Sequence, residues 1–148
     1  MAQRAEAGGI ARAAMDPLAV FVLSILAGAF IAFGAVFATT VGAAGFPVEP
    51  GAVAPLPYGV MRLLTGLVFC TGLILVIVAG AELFTGNNML VMAWASGKVT
   101  TRAVALNWLI VFCGNFLGAI ATAVLVLASD VLPHPQACLI TGITPQQM

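Results

Sequence analysis

Residues 60–95 form an apolar stretch of 36 residues, interrupted in its middle by GAELFTGNN at 80–88. A helix needs about 20 apolar residues to cross a bilayer core. The stretch is therefore one span plus something, two short spans, or one broken span. The interruption holds a carboxylate, Glu82, with Gly80 and Gly86 on either side and two asparagines after it. Irregular backbone at membrane depth survives only where protein or a water-lined cavity satisfies its polar groups. Broken helices of this kind mark substrate sites in many transporters.

Composition supports the membrane reading. Only 7% of the 148 residues are charged and 62% are hydrophobic, against about 25% charged in an ordinary soluble domain. The net charge is zero, with five residues of each sign, so no basic cluster exists to hold nucleic acid. Cys70, Cys113 and Cys138 are odd in number and widely spaced, which fits neither a disulfide framework nor a thiolate metal site. His134 is the only histidine, so no metal site and no cofactor is expected. No G-x-S-x-G elbow, P-loop lysine or H-E-x-x-H helix is present, and no second acid neighbours Glu82. The chain is not expected to be an enzyme.

The organisation follows from the apolar runs. Residues 1–17 are an Ala- and Gly-rich arm ending in Asp16-Pro17, a helix cap followed by proline at the first helical position. A transmembrane unit is expected over 18–130, followed by a tail or the start of another element at 131–148. The first span covers 18–41, carries no charge, and places Ser24, Gly28 and Ala32 at helical spacing for close packing. A loop with four of the eight prolines follows at 42–58. The second segment comprises a span at 59–79, an irregular loop at 80–89 and a short helix at 90–96. The third span covers 103–128; Gly114 and Gly118 suit a tight crossing, and Asn115 needs a polar partner. The turn at 96–102 carries Lys98 and Arg102 and no acid, which places it in the cytoplasm by the positive-inside rule. The N-terminal arm is then cytoplasmic and Glu49 lies outside.

The break offers residues for a conduit. Leu83 and Phe84 are bulky and apolar beside the hydroxyl of Thr85. An apolar constriction blocks ions by dewetting while a nearby hydroxyl or N–H bonds a solute. Phe69 and Leu73 lie i, i+4 on the preceding helix. They are either a second constriction or ordinary packing and lipid contacts. Glu82 reads best as an anchor bonding the N–H groups of its own loop, because a bare carboxylate in the path repels an anion.

VAGAELFTG at 78–86 resembles the first signature of the formate/nitrite transporter family. GLIL at 72–75, SGK at 96–98, Asn107-Trp108 and GNFLGA at 114–119 are similar to the same family in the same order, so the resemblance covers about 15–130. It implies an all-alpha membrane protein of aquaporin-like fold. Six membrane segments in two inverted halves form each protomer of a pentamer, and each protomer holds its own pore. This chain matches the N-terminal three-segment half with the broken second helix. Leu83, Phe84 and Thr85 would form the cytoplasmic constriction, and Phe69 and Leu73 the periplasmic one. Glu82 takes the signature's acidic position. Members pass small monovalent anions such as formate or nitrite, often with a proton, across the bacterial inner membrane. The usual pore histidine, lysine and asparagine belong to the second half. Neither His134 nor Lys98 stands where they would. A truncated member, inactive alone, is therefore expected. The alternative is a three-span structural or regulatory subunit assembling with a full-length relative.

Overall fold

The computed structural model describes residues 2–43 and 56–129, with side chains from residue 7 onward. Most of the proline-rich loop, Glu49, Asp130, His134, Cys138 and the tail at 131–148 lie outside the described residues, as do the side chains of Arg4 and Glu6. Six helices follow one another: α1 Ala2–Ala13, α2 Pro17–Ala43, α3 Tyr58–Ala79, α4 Phe84–Asn87, α5 Leu90–Ala95 and α6 Thr101–Ala128. No strand occurs among the described residues. α2, α3 and α6 are each long and apolar enough to cross a membrane.

Local chemistry sets the helix ends. Asp16 caps α2, its Oδ2 accepting from the Ala19 N–H at 3.4 Å, and Pro17 takes the first helical position. α3 ends at Gly80, whose φ of 63° suits glycine. There the Gly80 N–H donates to Ile77 O (3.2 Å) and the Ala81 N–H to Val76 O (3.0 Å). This doubled closure satisfies the last carbonyls of the helix. Gly97, φ 73°, closes α5 the same way: Gly97 N–H bonds Trp94 O and Lys98 N–H bonds Ala93 O.

The chain divides into two compact units, one of Met1–Ala29 with Val76–Ile120, the other of Phe30–Leu75 with Ala121–Met148. In the first unit α1 packs on α5. A Cβ at Gly9 would stand 3.3 Å from the Ala93 Cβ, so glycine sets how closely the two helices approach. The arm expected at 1–17 is thus helical along most of its length. In the same unit α2 and α6 meet with their backbones nearly touching. A Cβ at Gly28 would overlap the backbone of Asn115, one at Gly114 the Ser24 hydroxyl, and one at Gly118 the carbonyl of Ile25.

The second unit packs α2 on α3 through Gly34 and Gly72. A Cβ at Gly72 would lie 2.6 Å from Phe30 O, and one at Gly34 2.9 Å from Phe69 O. Small residues let helices approach where no hydrophobic force draws them together. Only 17% of the most apolar window of α3 is buried, so most of that helix is left for lipid or further protein to cover.

Candidate functional site

The break between α3 and α5 lies wholly in the first unit. After Gly80 the backbone runs irregularly through Leu83, makes one helical turn as α4, and turns again into α5. Most of its N–H groups have identifiable acceptors. Glu82 N–H bonds Leu23 O on α2 at 3.3 Å, and the Gly86 and Asn87 N–H groups turn back to Leu83 O. Phe84 N–H bonds Asn115 Oδ1 on α6 at 3.0 Å.

Asn115 holds the segment from α6. Its Oδ1 accepts from Phe84, while its Nδ2 donates to Ser24 O (2.8 Å) and Glu82 O (3.0 Å). One amide thereby ties the broken segment to both α2 and α6. It reaches because Gly28, Gly114 and Gly118 bring those helices together. These glycines, expected at a helix crossing, bring the Asn115 amide within reach of the break.

Glu82 is buried, its side chain 7% exposed, and its Oε1 stands 3.4 Å from Arg12 Nε on α1. The same guanidinium donates from Nη1 to Gly86 O (3.0 Å) and to Asn87 Oδ1 (3.2 Å). This corrects the expectation that Glu82 bonds N–H groups of its own loop. Those of Gly80, Ala81, Glu82, Phe84, Gly86 and Asn87 already have other acceptors, so the carboxylate takes its cation from the N-terminal helix. A buried carboxylate needs such a partner. Gly86 likewise differs from Gly80. It sits inside α4, its carbonyl accepts from Arg12, and a Cβ there would lie 3.5 Å from Arg12 Nη1.

From α6, Trp108 Nε1 donates to Asn87 O at 3.2 Å. Phe84 packs edge-on to Trp108 (centroids 6.2 Å apart) and to Phe112 (5.9 Å). The Phe84 ring is thus fixed from one side. Leu83 is half-buried and Thr85 exposed. Phe69 and Leu73 belong to the second unit, one helical turn apart on α3, and are 42% and 43% exposed.

Arg12, Asn87, Ser24 and Trp108 were not singled out for the break by sequence reasoning. A signal for Arg12 existed. A buried carboxylate requires a cation, and the chain has only five basic residues, of which four lie in the arm or the 96–102 turn.

The family model for the formate/nitrite transporter matches residues 1–144. The chain is 39% identical over 129 residues to the formate channel FocA of Escherichia coli, covering 87% of this chain and 42% of that one. It is 39% identical over 105 residues to a probable formate transporter of Methanothermobacter thermautotrophicus (70% and 36% covered). It is 34% identical over 137 residues to the formate channel FocB of Escherichia coli (93% and 44%). The chain thus spans less than half the length of these relatives. With its broken second span, its signature at 78–86 and its three membrane-length helices, the chain belongs to the formate/nitrite transporter family.

Proposed function

We propose that this chain forms part of the wall of a membrane path for small monovalent anions such as formate or nitrite. The observation that carries the reading is the break itself. Its irregular backbone is held by Asn115 from α6 and by Arg12 from α1, while Thr85 stays exposed. A protein that only needed a span has no use for so much fixed polar structure at that depth. Leu83, Phe84 and Thr85 form the constriction on the cytoplasmic side, with Phe84 held by Trp108 and Phe112. Phe69 and Leu73 form the outer one. Gly80, Glu82 and Gly86 anchor the loop.

The constrictions are apolar, and a bare charge passing an apolar ring meets a large desolvation cost. A proton therefore accompanies the anion. Further membrane helices complete the path, from the same protein or a partner, and five protomers assemble in a bacterial inner membrane with α1 in the cytoplasm. The exposed apolar faces of α3 and α6 support this assembly.

The experiment is radiolabelled formate uptake by proteoliposomes holding the assembly purified from native membranes. Saturable uptake that excludes sodium and potassium is expected. Liposomes no more permeable to formate than empty ones would overturn the reading.

A further inference from the structure

Arg12 is engaged by Glu82, whereas Arg62, in the membrane-length helix α3, is held differently. It sits one turn into α3, at the end away from the break. Its Nε donates to the Tyr58 hydroxyl at 2.9 Å, and its guanidinium carbon lies 5.2 Å from the centre of the Tyr58 ring. A cation over an aromatic face is attracted and stiffened without losing its charge. Nη1 and Nη2 have no partner among the described residues, and no described acid pairs with Arg62.

Its place on the helix gives that charge a direction. Arg62, Gly66, Phe69 and Leu73 follow one another at steps of four, three and four residues, so they share one face of α3. A Cβ at Gly66 would meet nothing within 4 Å. Among the described residues the face therefore carries a cation bonded to Tyr58, then open space, then the two bulky side chains. Seven residues of helix separate Arg62 from Phe69, about 10 Å.

We propose that Arg62, braced by Tyr58, collects the small carboxylate anion at the outer mouth ahead of Phe69 and Leu73. The inference rests on the anion-path reading above. The planar fork of a guanidinium matches a carboxylate's two oxygens, and among the described residues none takes up its Nη1 or Nη2. The charge raises the local anion concentration at the entrance, and Gly66 leaves the space in which the anion waits. An arginine that merely reached to the lipid surface would leave transport untouched.

The test uses the native assembly in proteoliposomes, with initial formate uptake from the outer side read at about 0.01 M and about 1 M ionic strength, where charges act over about 30 Å and 3 Å respectively. Arg62→Gln lowers uptake about threefold at low salt and leaves it nearly unchanged at high salt. Arg62→Lys keeps most of the low-salt rate, and Tyr58→Phe falls between. The wild type itself must slow as salt rises, a readout that needs no variant to fold. Equal low-salt uptake by wild type and Arg62→Gln, or wild-type uptake indifferent to salt, overturns the role of Arg62 alone. A wild type that passes no formate overturns the anion-path reading and this role with it.

Discussion

The two units solve the same packing problem for different ends. In the second, Gly34 and Gly72 bring α2 and α3 together with backbone against backbone. Both helices there are regular, so the contact has only to be close. In the first, Gly28, Gly114 and Gly118 bring α2 and α6 equally near, but the approach serves Asn115. Its amide bonds Ser24 O, Glu82 O and the Phe84 N–H. Close packing by itself makes a membrane helix pair. Close packing around an amide makes a place where a third helix can break. The contrast explains why the first unit also holds the one buried carboxylate among the described residues and its arginine.

If that contrast is right, the largest effect comes from filling the crossing in the first unit. Gly28→Leu drives a side chain into the Asn115 backbone, which cannot move aside. Overpacking of this kind costs about 1–3 kcal/mol or more, and the polar contacts are lost with it. The folded assembly should disappear from size-exclusion profiles in mild detergent. Asn115→Leu comes next. It removes three hydrogen bonds and strands the Phe84 N–H, a loss of about 3 kcal/mol, read as a fall in thermal unfolding temperature. Survival of Asn115→Leu at wild-type stability would erase the distinction between the two units.

Arg12→Ala is milder, about 1–2 kcal/mol, because the arginine is 37% exposed and water shares its charge. Proteolysis of α1 should quicken in this variant, since Arg12 ties that helix to Glu82, Gly86 and Asn87. Gly66→Ala is the smallest, within about 0.5 kcal/mol. It enters open space, and a large effect there would show that the open side of α3 is covered.

The fold was legible where composition and local signals agree. Long apolar runs with at most one charge mark the spans, Asp16-Pro17 opens α2, and a carboxylate between glycines marks the break. The site was legible only in part. The sequence marks Gly80 only as a flank of the break; its positive φ at the end of α3 comes from the structure. The expectation for Glu82 failed in its partner, since nothing in a linear sequence shows that most of the loop's N–H groups are already bonded elsewhere. Arg12 lies 70 residues from Glu82, and only folding brings α1 to the loop. Asn115 was recognisable as a buried amide in need of partners. That it holds both α2 and the break follows from the helix crossing, not from its neighbours in the chain.

The central claim is that this fixed break gates an anion path, and Phe84 is its most direct probe. It is the bulky ring of the break, held in place by Trp108 and Phe112. Formate flux through the reconstituted native assembly should be measured for wild type and Phe84→Ala side by side. The account predicts a higher rate and a greater leak for the alanine variant, with the assembly intact. An intact assembly with unchanged flux would contradict it.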